Sequence, residues 1–299
     1  MNTPRTALIV GCGYVGRRLG QYLAQQLNAT PHTPSKVYGV IRNTEKADAL
    51  KAIGIQPIVL NLDQLDRTSL HAEWCKDSAV FYFAPPPNEG EHDTRLERFL
   101  QSLPATPQAL IQISTTGVYG NTHGEWVTEN SPLNPQTARA RRRVSAEQIS
   151  EHWCQQHDVR RVVLRVPAIY GPDRLPLERI RAGEPVIRKE QSPIINRIHV
   201  DDLVNICLTA ATNAKLQGVY NVSDGNAMTM TEYIQLVARL AHLPLPKEIS
   251  LEEAQQKLSP ELMSYMNESR RIDNSKLLRE FGFKLGYANM EKGINDSIS

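Results

Sequence analysis

The stretch Ala7-Leu8-Ile9-Val10-Gly11-Cys12-Gly13-Tyr14-Val15-Gly16 decides the fold that this sequence predicts. Four apolar residues predict a buried strand, and the GxGxxG pattern after them is typical of a tight turn into a helix. Gly11 permits the turn, Gly13 lets a ligand approach the backbone, and Gly16 lets the helix pack on the strand. Because a helix N-terminus presents N–H donors and a positive dipole end, the stretch predicts a seat for a dinucleotide pyrophosphate. Cys12, Tyr14 and Val15 are included in this cofactor-binding turn.

The residues downstream of the turn support this interpretation. Leu19, Leu23 and Leu27 recur at helical spacing, and Val37–Ile41 predicts a second strand that closes a βαβ unit of the expected length. A plain glycine turn between packed elements is the alternative. The pattern with its flanking elements favours NADP or NAD as the ligand.

Strand-like apolar runs alternate with helical segments along the first part of the chain. Strands are predicted at Ala7–Val10, Val37–Ile41, Ile58–Leu60, Ala79–Phe83, Ala109–Ile113 and Val162–Val166. Helices are predicted at Gly16–Leu27, Asn43–Ala52, Leu65–Cys75, Asp93–Leu103 and Gln136–Gln156. This alternation predicts an α/β fold, a Rossmann-like doubly wound parallel sheet with ligands at the carboxyl ends of the strands.

The pattern changes after Tyr170-Gly171-Pro172 to short segments rich in proline and arginine. We expect a dinucleotide-binding domain over residues 1–170, with 198–222 returning to it as a helix and a short strand. Residues 171–197 and 223–299 are then a smaller C-terminal substrate lobe.

Composition narrows the range of partners. The chain of 299 residues carries 34 basic and 32 acidic side chains, so its net charge of +2 predicts no nucleic acid and no anionic membrane as partner. Its four cysteines form no CxxC pair, which argues against zinc and disulfides and favours a reducing cytoplasm. No metal site is expected, and no apolar run is long enough for a membrane segment. The expected partner is a small-molecule substrate.

Four further motifs follow the glycine turn in order. They are Ile113–Gly120 (ISTTGVYG), Leu164–Pro172 (LRVPAIYGP), Ile198–Leu203 (IHVDDL) and Val219–Gly225 (VYNVSDG). With these motifs the chain resembles the extended short-chain dehydrogenase/reductases, the nucleotide-sugar epimerase and dehydratase superfamily. The resemblance covers nearly the whole chain and implies hydride exchange at a bound nicotinamide. It also implies a homodimer through the helices Asp93–Leu103 and Gln136–Gln156.

The resemblance extends the cofactor site beyond the glycine turn. Arg42 follows the second strand, where an Asp or Glu would receive the ribose hydroxyls of NAD, and a cation there favours the 2′-phosphate of NADP. A solvated arginine is the alternative. The family pattern further implies that Asp63 lies near the adenine, that Ala84 lines the middle of the cofactor, and that Pro167 is cofactor-binding. For Cys12, a thiolate stabilised by the helix N-terminus competes with a small side chain that fits the turn.

The usual acid–base pair of the superfamily is absent from the expected positions. Members carry a catalytic Tyr, a Lys four residues later and a Glu four further on; counting back from Glu147 reaches Arg143 and Arg139. Arginine does not release a proton near neutral pH. Another residue therefore supplies the proton, or the reaction has changed, or the protein binds the cofactor without turning it over.

Three residues are candidates for catalysis by resemblance. Thr115 matches the Ser/Thr that hydrogen-bonds the substrate hydroxyl, and Tyr119 and Tyr170 are the nearest replacements for the proton donor. Both tyrosines also occur as packing residues in active members. The alternative for Thr115 is a strand-end hydroxyl that caps local backbone.

Arginines are candidates for binding an anionic substrate. Arg139 and Arg143 share one face of the predicted helix, and a solvated helix surface is the alternative. Sugar-nucleotide enzymes often carry a pyrophosphate-binding Arg where this chain has Ile195, a departure that Arg197 could compensate. The sequence thus predicts an NAD(P)-dependent oxidoreductase or epimerase-like enzyme for a small hydroxylated substrate, with sugar-derived molecules among the candidates. The alternative is a non-catalytic NAD(P)-binding sensor or regulator.

Overall fold

A computed structural model describes residues 4–26, 36–66, 68–257, 268–282 and 284–298. The chain forms two compact units. The first comprises Met1–Thr115, Thr137–Arg165 and Leu203–Tyr220, and the second comprises Thr116–Gln136, Val166–Asp202 and Asn221–Ser299. Which segments bind dinucleotide and which bind substrate stays a prediction.

A seven-stranded sheet is the centre of the first unit. Its strands are β1 (Thr6–Val10), β2 (Lys36–Ile41), β3 (Gln56–Val59), β4 (Ser78–Tyr82), β5 (Ala109–Thr115), β7 (Arg160–Val166) and β12 (Gly218–Asn221). They lie in the order β12-β7-β5-β4-β1-β2-β3, and β1 pairs in parallel with both β2 and β4. The strand order reverses between β1 and β4, which is where doubly wound sheets bind ligands. The predicted Rossmann-like α/β fold is confirmed.

Helices alternate along the chain with the strands of this sheet. They are α1 (Tyr14–Gln26), α2 (Ala47–Lys51), α3 (Ala72–Cys75), α4 (Thr94–Gln101), α5 (Ala138–Gln156) and α7 (Val200–Thr212), with a 3₁₀ turn at Thr44–Lys46. Leu19 and Leu23 of α1 are buried as the spacing predicts, and Leu27 lies outside the described residues. β1 and β4 are buried along their whole length, because their apolar runs are covered on both faces.

The predicted helix Leu65–Cys75 is wrong in its first half. Only α3, Ala72–Cys75, is helical. The carboxylate of Asp66 accepts hydrogen bonds from the backbone N–H of Thr68 and from the hydroxyl groups of Thr68 and Ser69, at 2.7–2.9 Å. These local bonds offer the backbone an alternative to the helix.

The second unit is built from short strand pairs and helices. Its strands are β6 (Trp126–Val127), β8 (Ala168–Tyr170), β9 (Val186–Ile187), β10 (Ile194–Ile195), β11 (Arg197–His199), β13 (Met228–Thr229), β14 (Glu248–Ile249) and β15 (Arg271–Ile272). Its helices are α6 (Leu177–Arg181), α8 (Met230–Leu240), α9 (Leu251–Lys257), α10 (Ser275–Phe281) and α11 (Met290–Ile298), with 3₁₀ turns at Thr116–Tyr119 and Lys189–Gln191. A capping box between Thr229 and Glu232 begins α8, and Tyr170, Tyr233 and Ile294 belong to one apolar core.

No helix within the described ranges is long and apolar enough to cross a membrane.

Candidate functional site

The glycine turn packs against the segment that follows β4. Gly11 has φ +100°, and a Cβ on it would lie 2.6 Å from the backbone nitrogen of Ala84. A Cβ on Gly16 would lie 2.6 Å from the carbonyl oxygen of Gly11. Internal packing therefore requires glycine at both positions, and it brings two predicted cofactor-binding segments, the turn and Ala84, together.

Gly13 differs from both of these glycines. It is exposed, and a Cβ built on it meets no atom of the described residues within 4 Å. Its N–H donates to the carbonyl of Gly11 at 2.9 Å, and its carbonyl accepts from the N–H of Arg17 at 3.0 Å in the first turn of α1. The internal packing of the chain does not explain the glycine, whereas a pyrophosphate lying on the turn at the helix N-terminus does. The turn therefore fits the dinucleotide that the sequence predicts.

The other side chains of the turn are packed. Cys12 is buried beside Gly39, and burial raises the pKa of its thiol to about 12, although the charge of Arg17 acts in the opposite direction. The thiol is therefore neutral near pH 7, as expected for a small residue that fills the turn. Val15 is buried, and the guanidinium carbon of Arg18 lies 3.9 Å from the ring centroid of Tyr14.

Asp63, the predicted adenine-side residue, is held by Arg95 of α4. The guanidinium group donates to both carboxylate oxygens, at 2.7 Å and 2.9 Å, and this contact lowers the pKa of Asp63. The charge of Arg42, which is exposed at the end of β2, lowers that pKa further. The structure thus places Arg42 near Asp63, at one edge of the first unit.

Arg95 also joins two loops. Nη1 of its guanidinium group donates to the carbonyl oxygens of Pro85 and Pro86, at 3.2 Å each, while Nε and Nη2 bind the Asp63 carboxylate. It therefore connects the loop after β3 with the loop after β4. Sequence reasoning missed this residue, because an arginine on an amphipathic helix carries no local signal of such a contact.

One face of α5 contacts the carboxyl end of β5. Arg143 donates to the carbonyl of Ile113 at 3.1 Å, and the next residue of β5, Ser114, donates to Glu147 at 2.5 Å. Burial lowers the pKa of the Arg143 guanidinium, while the charge of Asp93 opposes that shift. Arg139, one turn earlier, is exposed. Arg143 thus lies at this strand end, and the charge of Arg139 acts on it.

A buried ion pair anchors the same helix. Arg165 of β7 donates to Glu147 at 2.7 Å, and both side chains are about 6% exposed. Ser114 completes the group from β5. The three residues connect two strands and a helix, a contact that no local pattern of the sequence indicates.

A second buried polar group lies beneath α4 and α5. Tyr82 and Gln112 are direct neighbours on β4 and β5, and Asp93 caps α4 through its bond from the N–H of Leu96 at 3.1 Å. The Tyr82 hydroxyl, both amide atoms of Gln112 and one oxygen of Asp93 have no hydrogen-bond partner within the described part of the chain. Burial raises the pKa of the Asp93 carboxyl.

The three catalytic candidates fall in different units. Thr115 is half-buried at the end of β5 in the first unit. In the second unit, Tyr119 is buried and donates its hydroxyl to the Asn221 side chain at 2.7 Å. Tyr170 is fully buried, and desolvation raises the pKa of its phenol far above the usual range. Both rings thus have the surroundings of packing residues, but only the Tyr119 hydroxyl has a hydrogen-bond partner among the described residues.

Arg197 and Pro167 also lie in the second unit. The guanidinium carbon of Arg197 lies 3.4 Å from the ring centroid of Tyr233, and burial lowers its pKa. Asp224 donates its backbone N–H to the carbonyl of Arg197 at 2.8 Å, and burial raises the pKa of its carboxyl to about 7. Pro167 is half-buried between β7 and β8.

Comparisons with known proteins agree with this architecture. The profile of the NAD dependent epimerase/dehydratase family matches residues 7–223. The Epimerase family protein SDR39U1 homolog, chloroplastic, of Arabidopsis thaliana is 29% identical over 152 residues, 48% of this chain and 42% of that protein. Across three curated relatives the alignments span 42%, 67% and 53% of the relatives' own lengths.

Solved structures match over nearly the whole chain. A functionally unknown conserved protein from Silicibacter pomeroyi DSS has a TM-score of 0.79 at 28% identity, with 98% of both chains covered. UDP-Glucuronic acid 4-epimerase from Bacillus cereus, in complex with NAD, has a TM-score of 0.75 at 16% identity and covers 98% of this chain and 95% of its own. At that identity the second likeness concerns the fold alone.

Proposed function

Because the chain belongs to the NAD dependent epimerase/dehydratase family, we propose that it is an NAD(P)-dependent oxidoreductase or epimerase-like enzyme for a small hydroxylated substrate. The observation that carries the proposal is Gly13, a glycine that internal packing does not require at the N-terminus of α1. The description of the matching family, which names NAD dependence, supports the choice of ligand class. Gly11–Gly16 hold the pyrophosphate, and Ala84 and Asp63 of the same unit line the rest of the dinucleotide.

Arg42 directs the preference toward NADP. Its exposed guanidinium group follows β2, and it donates charge-assisted hydrogen bonds to a 2′-phosphate. Asp63 remains oriented by Arg95, and each of its oxygens has further lone pairs for the adenine amino group.

Thr115 orients the reacting hydroxyl at the end of β5. The nicotinamide supplies hydride exchange when the dinucleotide is bound. Arg139 and Arg143 remain cationic, so they attract an anionic part of the substrate and do not move the proton. Tyr119 and Tyr170 stay the candidate donors, and each must then release a proton from a buried hydroxyl.

The second candidate function is a non-catalytic NAD(P)-binding sensor. It is favoured by the contact of Arg143 with the carbonyl of Ile113 and by the packed surroundings of both tyrosines. In that case the two arginines have replaced the reactive pair because no turnover is needed.

A fluorescence titration with NADPH and NADH tests the cofactor assignment. We expect the wild type to bind NADPH more tightly, Arg42→Ala to lose that preference by about tenfold, and Lys46→Ala, an exposed cation nearby in sequence, to bind like the wild type. Selective NADH binding contradicts the role of Arg42. A protein that binds neither NADPH nor NADH contradicts the proposal. In an enzyme, Thr115→Ala abolishes turnover and preserves NADPH affinity, whereas a sensor shows no turnover to lose.

A further inference from the structure

Four buried polar atoms of the second unit lack protein partners. They are the hydroxyl oxygens of Tyr170 and Tyr233, Nε of Arg197 and Oδ2 of Asp224, and none has a hydrogen bond to any residue of the described ranges. Electrostatic interactions connect all six pairs of these groups. Buried polar groups are almost always hydrogen-bonded, so four orphans in one place indicate a polar occupant from outside the chain.

Separate elements hold the cluster in place. β8 and β11 pair in parallel, which carries Tyr170 and Arg197 into neighbouring strands. The hydrogen bond from the Asp224 N–H to the Arg197 carbonyl holds Asp224 next to Arg197. The ring of Tyr233, on α8, stacks against the Arg197 guanidinium group. Both tyrosines are at most 1% exposed and belong to the apolar core of the unit. A few convergent polar groups in apolar walls are typical of small-molecule sites.

The chemistry of the four groups favours an oxyanion with two oxygens. Arg197 supplies a positive charge and an N–H donor, and the two phenols supply O–H donors. A carboxylate offers about four acceptor positions, enough for these three donors and for Asp224 in its protonated form. A single water molecule makes about three hydrogen bonds, fewer than the four groups offer, and carries no charge to complement the guanidinium group.

We propose that Tyr170, Arg197, Asp224 and Tyr233 form a subsite that binds a carboxylate group of the substrate. That the bound molecule is the substrate rests on the proposed function; the carboxylate subsite itself does not. The subsite also gives the substrate a chemical class, that of hydroxylated molecules that carry a carboxylate.

Carboxylate affinity depends on pH through Asp224. Burial raises the pKa of this carboxyl to about 7, while Arg197 and the bonds from Asn226 act in the opposite direction. Below that pH the protonated group donates to the ligand; above it the ionised group repels the ligand. Tyr170 and Tyr233 stay neutral in this range because burial raises the pKa of each phenol.

Calorimetric titration of the full-length protein with acetate, without cofactor and at constant chloride, tests the subsite. We expect acetate to bind at about pH 6 and at least tenfold more weakly at about pH 8. Near neutral pH, acetate binding should be accompanied by proton uptake by the protein, which is detected by repeating the titration in two buffers of different ionisation enthalpy. Tyr233→Phe keeps the ring and removes one donor, so it weakens acetate binding about tenfold. Arg197→Met abolishes binding. The control Arg239→Met, which changes an exposed arginine on α8, the helix of Tyr233, binds like the wild type.

Asp224→Asn keeps the shape and removes the titrating group. It is expected to bind acetate with little pH dependence and without proton uptake. Acetate binding that Tyr233→Phe, Arg197→Met and Asp224→Asn all leave unchanged, or no acetate binding at all, overturns the proposal and leaves water as the occupant. NADPH titration of the same samples separates the two levels, because a protein that binds NADPH but not acetate loses only this inference.

Discussion

Gly11 and Gly13 are two residues apart, yet the structure predicts opposite consequences for replacing them with alanine. In Gly11→Ala the new Cβ adopts a φ of +100° and lies 2.6 Å from Ala84 N and 2.9 Å from the Phe83 carbonyl carbon. The left-handed conformation costs about 1–2 kcal/mol and overpacking about 1–3 kcal/mol, so we expect a loss of about 3 kcal/mol. At about 2–4 °C per kcal/mol for a cooperative unit of about 150–250 residues, Tm falls by about 6–12 °C.

Gly13→Ala is expected to leave stability within about 1 kcal/mol, because its Cβ meets no described atom within 4 Å. The same Cβ occupies the surface on which the pyrophosphate lies. Overpacking of about 1–3 kcal/mol in the complex corresponds to about 5- to 150-fold weaker NADPH binding. Circular dichroism melts measure the first quantity, and NADPH fluorescence titration measures the second.

Gly90→Ala is the matched control. Gly90 has φ +71° with no described atom within 4 Å of its Cβ, so it isolates the cost of the backbone conformation from the clash at Gly11. If Gly13→Ala binds NADPH like the wild type, the glycine turn is not the pyrophosphate seat. If Gly13→Ala unfolds as early as Gly11→Ala, internal packing explains the glycine and the argument for a ligand fails.

Three further expectations concern the first unit. Glu147→Leu removes the carboxylate that pairs with the buried Arg165 and should cost about 3–5 kcal/mol in urea unfolding. Adding Arg165→Met should restore part of that loss, and equal costs for the single and double variants would contradict the ion pair. Because burial raises the pKa of Cys12 to about 12, iodoacetamide at pH 8 should modify it only after unfolding, as peptide mass spectrometry would reveal, and native labelling would contradict its packing. Trp153 lines a groove between α4 and α5, the helices through which the family resemblance implies a homodimer. Trp153→Asp should therefore give monomers by light scattering, whereas Trp126→Asp, at an exposed position of the second unit, should not. An unchanged mass for both variants would contradict a dimer interface at these helices.

Elements whose signal is local were predictable from the sequence. All six predicted strands of the first part of the chain form. In fully buried strands such as β1, burial on both faces requires an unbroken apolar run, which the sequence shows directly. The helix at Leu65–Cys75 was predicted too long, because the hydrogen bonds of Asp66 with Thr68 and Ser69 compete with helix formation and apolar spacing does not register them.

The surroundings of the polar residues required the tertiary structure. Arg95 finds Asp63 at a sequence separation of 32 residues, and Glu147 finds Ser114 at a separation of 33. No periodicity encodes such pairs, since helix and strand patterns specify which face is buried and not which polar group arrives there. The same holds for Arg197, whose stacking on Tyr233 depends on the meeting of β11 and α8.

The sequence by itself thus determined the individual strands of the sheet and the glycine turn, because turn sterics and burial act on residues that are neighbours along the chain. Its ordered motifs also determined the family. Only the tertiary structure decided that the Cβ position of Gly13 is open among the described residues while those of Gly11 and Gly16 are blocked, and that the rings of Tyr119 and Tyr170 are buried. Those outcomes depend on segments distant in sequence, which desolvate a phenol or leave a Cβ position open once the chain has folded.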